Sequence, residues 1–172
     1  MRRYIRSNIP GATYFFTLTL EDRSASHLTD HVDALRAAVR HVRDRHPFTI
    51  DAMVVLPDHL HAVWTLPPDD ADFTTRWMLV KQRFTKSSAV ATDSRGKKGE
   101  RTLWQRRYWE HLVRDEDDFA RHVDYIHFNP VKHGLVRRAG DWPHSSFHRY
   151  VRDGRLPADW GVAVDASGEF GE

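Results

Sequence analysis

The sequence contains no cysteine. Disulfides and thiolate metal sites are therefore excluded, as suits a reducing compartment. No apolar run approaches the roughly 20 residues that cross a bilayer. The basic N-terminus lacks the apolar stretch of a secretory signal. No internal repeat and no long linker divides the chain, and net charge is small: 26 Lys and Arg against 24 Asp and Glu give +2. These absences point away from a disulfide scaffold, a membrane protein and a repeat array. The expectation is a single cytoplasmic domain over residues 1–172, with a core at about 10–150 and a loose tail at about 160–172.

What is present supports a packed core. Hydrophobic residues are 40% of the 172 and charged residues 29%, with six Trp and nine Phe. That balance is globular rather than disordered. The near-neutral total hides clustering. Arg2, Arg3 and Arg6 open the chain, Lys81, Arg83 and Lys86 lie close together, and Arg106 and Arg107 adjoin. A basic run of Arg95, Lys97, Lys98 and Arg101 precedes them, while Asp115-Glu116-Asp117-Asp118 is acidic. Such asymmetry suits a polyanionic partner, although solvated surface has the same composition.

Residues 13–20, rich in Thr, Tyr and Phe after Pro10-Gly11, read as a strand. Val32, Leu35, Val39 and Val42 recur at helical spacing, so 30–45 reads as a helix. Residues 48–56 and 59–66 read as a hairpin broken at Pro57-Asp58. Phe73, Trp77, Val80 and Phe84 predict a helix over 72–89, followed by a polar loop at 91–101. A strand at 108–114 and a helix at 115–129, ended by Pro130 and Gly134, complete the order β-α-β-β-α-β-α. Beyond about 140 the chain reads as irregular with one short helix. This order predicts an α+β fold: a ferredoxin-like antiparallel sheet with packed helices.

His59-Leu60-His61 opens the third strand. Alternation along a strand puts both imidazoles on one face and Leu60, Ala62, Trp64 and Leu66 on the other. Two imidazoles so spaced can grip one metal ion, yet in a chain with twelve His the pair needs a partner to carry weight. Tyr125 and Asn129, four residues apart, share one helical face beside the apolar stripe of Phe119, Val123 and Ile126. His122 lies on that side as well, whereas His127 points away and reads as structural. Asn129 can add a third, oxygen ligand. Two His and an amide oxygen suit Mg²⁺ or Mn²⁺, with Mn²⁺ favoured by the nitrogen donors. A phenol ordinarily titrates near 10 and is a weak nucleophile. A metal beside it would polarise a phosphodiester, and attack by tyrosine would leave a covalent phosphotyrosine.

These residues resemble a known family. His59-Leu60-His61 is similar to the His-hydrophobe-His motif of HUH endonucleases. Residues 123–136, from Val123-Asp124-Tyr125 through Asn129-Pro130 to Gly134-Leu135-Val136, resemble the tyrosine helix of REP-associated tyrosine transposases. Leu56-Pro57-Asp58, Trp104 to His111 and Trp142-Pro143-His144-Ser145-Ser146 extend the likeness, in order, over roughly 10–150. The resemblance implies the HUH fold and cutting and joining of single-stranded DNA at REP-type palindromic hairpins. It implies Tyr125 as nucleophile forming a 5′-phosphotyrosine, with His59, His61 and Asn129 as metal ligands. It also implies a nucleoid-associated location and a monomer or homodimer. Candidate DNA contacts are Arg2, Arg3, Arg6, Lys81, Arg83, Arg106 and Arg107, with Trp104, Tyr108 and Trp109 able to stack on bases or to pack inside. A replication initiator or relaxase, and a hairpin-binding protein that does not cut, are the competing readings.

Overall fold

A computed structural model describes residues 8–88, 90 and 103–163. Arg2, Arg3 and Arg6, the loop at 91–101 and most of the tail lie outside the described residues. Strand β1 (Thr13–Thr19) is followed by a short helix α1 (His27–Asp30) and by α2 (Val32–Arg45). The hairpin β2 (Thr49–Val55) and β3 (His59–Thr65) leads to α3 (Phe73–Ser87), β4 (Trp109–Leu112) and α4 (Glu116–Lys132). A 3₁₀ turn (Ala139–Asp141) and α5 (Phe147–Arg152) follow. The four strands form one antiparallel sheet in the order β2-β3-β1-β4. This is the expected ferredoxin-like arrangement, in which β3 lies between β2 and β1.

The sheet has two unlike faces. Helices α2 and α3 cover one of them. Leu35, Val39, Phe73, Trp77, Val80 and Phe84 pack on Tyr14, Phe16, Leu60, Ala62 and Trp64 there. Trp64 and Trp77 stack with ring centroids 3.8 Å apart, both fully buried. Helices α4 and α5 cover the other face, where Val123, Ile126 and Tyr150 meet Phe15, Ala52, Val54 and Val63. The second face carries the histidines: His61 lies opposite Thr17 on β1 and Val54 on β2, and His111 on β4 lies opposite Phe15.

Helix α4 departs from the sequence expectation. It begins as expected, with the Asp115 side chain capping the Asp118 N–H at 2.8 Å. It does not stop before Pro130 but runs to Lys132. A proline in the last turn forfeits a single bond, to the carbonyl four residues earlier, so the helix survives it. The end is then closed by two bonds, Leu135 N–H to Pro130 O and Gly134 N–H to Val131 O, both 2.9 Å. Gly134 adopts φ +69°, the left-handed conformation this closure requires. The extra turn carries Lys132 and His133 to the site described next. The expected helix at 30–45 is likewise divided, with His31 separating α1 from α2.

Candidate active site

His59 and His61 lie side by side on β3, 6% and 4% exposed, with ring centroids 5.0 Å apart. Each has one ring nitrogen anchored. His59 Nδ1 lies 2.7 Å from Asp58 Oδ1, and Asp58 is in turn held by Arg23. A carboxylate only accepts, so Nδ1 carries the proton and Nε2 keeps its lone pair. The hydrogen bonds from Arg23 and His59 outweigh burial and hold the Asp58 carboxyl below its ordinary range. His61 Nδ1 lies 2.8 Å from the Thr17 hydroxyl. Its Nε2 is buried and has no partner among the described residues. Burial, reinforced by His59, His133 and Lys132, pushes His61 down to about 3, so it stays neutral, the form a metal ligand needs.

Helix α4 brings the other half. The Tyr125 ring meets the His61 ring edge-on at 5.2 Å between centroids. Phe15 backs both, at 5.6 Å from His61 and 5.9 Å from Tyr125. Tyr125 remains 38% exposed, so its hydroxyl has access to solvent or to a large substrate. One turn on, Asn129 is fully buried, and neither its amide oxygen nor its amide nitrogen has a partner among the described residues. A buried amide left unpaired costs about 1–3 kcal/mol. His61 Nε2 on β3 is the other buried polar atom of this face that has no partner among the described residues and can act as a ligand. His59, His61 and Asn129 carry donor atoms of the kinds a divalent cation takes.

Three features escaped the sequence reading. Lys132 places its ammonium 4.8 Å from the centre of the Tyr125 ring. His133 stands edge-on to His59 at 5.1 Å. The spacing of seven from Tyr125 to Lys132 is helical and could have flagged the lysine, had Pro130 not ended the predicted helix. The third feature is His111, Asp118 and His122, each offering a ligand atom within 4.8 Å of the others. His111 reaches this group because the chain turns from β4 straight into α4, seven residues separating it from Asp118, a turn that no periodicity announces. This second group can also hold a metal, but Asp118 is already bonded to His111 Nε2 at 2.9 Å, to the Arg114 N–H at 3.0 Å and to the Arg114 guanidinium at 3.2 Å. Those bonds, led by His111, hold the Asp118 carboxyl far below its ordinary range. The Phe15 ring, 4.6 Å from His122, separates it from His61.

Other expected residues are more scattered. Lys81 donates to the Gln105 carbonyl at 3.3 Å and sits over the Trp104 and Tyr108 rings. Arg83, Arg106 and Arg107 are exposed, as is Trp109 at 57%, whereas Trp104 is in the core. His127 is structural, as expected: its Nε2 lies 2.8 Å from the Ser146 hydroxyl, and burial pushes it down to about 4. No helix among the described residues is long and apolar enough to cross a membrane.

Comparison with known proteins adds to this geometry. No family model matches the chain. An Escherichia coli (strain K12) REP-associated tyrosine transposase is 45% identical over 160 residues, covering 93% of this chain and 91% of that protein. A Haemophilus influenzae protein provisionally given the same name is 44% identical over 169 residues, 96% of each chain. Among solved structures, that of a REP-associated tyrosine transposase bound to a REP hairpin superposes with a TM-score of 0.85 at 43% identity, covering 98% of both chains. At that identity, over nearly the whole length, and with His59, His61 and Tyr125 gathered on one face of a matching sheet, the chain belongs to the REP-associated tyrosine transposase family.

Proposed function

We propose that this protein is a metal-dependent single-stranded DNA endonuclease and strand transferase. It acts on REP-type palindromic hairpins through a 5′-phosphotyrosine on Tyr125. One observation carries the reading: the Tyr125 ring lies 5.2 Å from the ring of His61, whose Nε2 is buried without a partner. The hairpin-bound relative supports the substrate class.

His59 Nε2, His61 Nε2 and the Asn129 amide oxygen are the groups that would hold the ion, Mg²⁺ or Mn²⁺. When bound, it supplies positive charge to a phosphoryl oxygen. The chain's own residues do the rest. Asp58 fixes the orientation of His59, and Thr17 that of His61. The Tyr125 oxygen forms a bond to phosphorus and loses its proton to solvent. The bond from phosphorus to the 3′ oxygen breaks, and that oxygen takes a proton to leave as a free 3′-hydroxyl. The phosphotyrosine conserves one ester bond for another, so a DNA hydroxyl can later reverse the exchange without ATP. Lys132 keeps positive charge beside the attacking phenol. Because His61 and Tyr125 meet within one chain, a monomer suffices. Arg83, Arg106 and Arg107 are the exposed candidates for phosphate contact, and Arg2, Arg3 and Arg6 fall outside the described residues.

The test is incubation with a labelled hairpin oligonucleotide and Mn²⁺. A covalent protein–DNA adduct that is absent with Tyr125→Phe is the expected result. Tight binding with no adduct in Mn²⁺ or Mg²⁺ would instead identify a hairpin-binding protein that does not cut.

A further inference from the structure

A groove of about 290 Å³ runs along the β2 edge of the sheet, on the side away from Tyr125, between α2 and the segment 143–146. Its floor is apolar, including Leu35, Val39, Ile50 and Val55. Its rim is cationic. Arg36, Arg40 and Arg43 line it from one side; His144 faces them, 3.5 Å from the Arg36 guanidinium, and burial together with Arg36 lowers its pKa, so the rim's charge is that of the arginines. The arginines follow one another by four and three residues, rises of about 6 and 4.5 Å along one face of the helix.

The charges on this rim are largely uncompensated. Arg36 has a loose contact with exposed Asp33 at 3.4 Å, which is worth little in water. Arg40 and Arg43 are exposed and have no carboxylate partner among the described residues. In a chain whose net charge is only +2, three arginines on one groove are a marked local excess. A concave, cationic rim over an apolar floor matches a phosphodiester chain with its sugars and bases turned inward. A recess of about 290 Å³ cannot enclose a duplex, whose major groove alone is about 12 Å wide.

The groove connects to the tyrosine helix through one residue. Ser146, which lines it, accepts from the Met53 N–H at 2.9 Å and is hydrogen-bonded to His127 at 2.8 Å. His127 follows Tyr125 by two residues on α4.

We infer that this groove binds the single-stranded flank of the DNA substrate, with Arg36, Arg40 and Arg43 contacting successive phosphates. The inference rests on the DNA reading above but not on cleavage, and it adds a contact surface on the face opposite the chemistry. The test compares two fluorescent oligonucleotides with the same stem, one blunt and one carrying a six-nucleotide single-stranded flank. The full chain and its Arg36→Gln/Arg40→Gln/Arg43→Gln variant are titrated by anisotropy at several salt concentrations. The wild type should prefer the flanked oligonucleotide, and the variant should lose about tenfold or more of that preference. Its log–log salt slope on the flanked oligonucleotide should shrink by about 2, since each lost single-strand phosphate contact removes about 0.7. A triple Arg→Lys variant should keep most of the preference. A wild type that does not distinguish the two oligonucleotides, or a ratio of affinities unchanged in the Gln variant, overturns the groove. Either result leaves the adduct assay standing, and a failed adduct assay leaves this ratio readable.

Discussion

The two faces of the sheet are built from the same strands and behave as different materials. On β3, Leu60, Ala62 and Trp64 point to α2 and α3, and His59, His61 and Val63 point to α4. The first set is fully buried and packs ring on ring. The second, with α4, holds imidazole and amide atoms that have no partner among the described residues. Close-packed apolar residues contribute stability, whereas unpaired buried polar groups subtract from it. Buried atoms without a partner among the described residues occur on both faces, but of different kinds: indole N–H donors of Trp64, Trp77 and Trp104 on the first, and the His61 Nε2 and Asn129 amide atoms, which can hold a cation, on the second.

The largest effects should separate along that line. Tyr125→Phe should cut adduct formation by several orders of magnitude, as removal of a nucleophile does, while leaving the urea midpoint nearly unchanged. Trp64→Ala on the opposite face should cost about 3–5 kcal/mol of stability from lost packing. Below its lowered melting temperature it should still form adduct at close to the normal rate per folded molecule. If Trp64→Ala abolishes the chemistry in folded protein, or Tyr125→Phe unfolds it, the division between the faces fails.

How much of this division the sequence discloses depends on the distance over which the signal travels. Alternation within β3 is local, so the opposed sets Leu60/Trp64 and His59/His61 are legible from residue order. The four-residue spacing of Tyr125 and Asn129 is local too: the Tyr125 ring lies beside His61, and Asn129 is buried one turn on. Strand pairing is not local. Thr17 on β1 anchors His61 from 44 residues away, whereas His111 meets Asp118 seven residues on, where the chain turns from β4 into α4. Neither contact follows from any periodicity. Pro130 misled for a different reason. Its cost is one hydrogen bond, and a helix whose end is closed by Gly134 and whose flank packs on the sheet absorbs that loss.

Acid should weaken the α4 face selectively. His61 titrates at about 3 and His127 at about 4, both because burial disfavours the cation. In the unfolded chain each returns to the ordinary value near 6.5. Their folded values are depressed, so the unfolded chain binds more protons between these limits. Stability is therefore full above pH 6.5 and falls as pH drops towards 4, by up to about 1.4 kcal/mol per unit for each imidazole. Urea unfolding at pH 7.5 and pH 5 measures this directly. Equal stability at both would mean that the two rings are not buried as neutral groups. His127→Gln should flatten part of the slope and leave the Tyr125 adduct in place.

A smaller effect tests how His59 is held. Asp58→Asn keeps the shape of the residue and removes the carboxylate that fixes the imidazole tautomer. Loss of such a supporting group typically costs 10–100-fold in metal affinity or activity. The expected signature is a raised Mn²⁺ requirement for adduct formation, with hairpin affinity within about twofold of normal. An unchanged metal requirement would place the cation away from His59, with His111, Asp118 and His122 as the next set to substitute.

The smallest effect has an unusual sign. Asn129 is fully buried with both amide atoms unpaired, so its side chain is a cost to the folded chain in the absence of a ligand. Asn129→Leu replaces the buried amide by an apolar group of similar size, and should raise stability by about 1 kcal/mol. The same change should weaken the response to Mn²⁺, because it deletes the oxygen donor from the cation site. Thermal melts of both forms with and without Mn²⁺ read the two effects together. The variant should melt higher than wild type without the ion and gain less when it is added. Lower stability without the ion would mean that the amide is already satisfied, and the α4 face would then be as finished as the other.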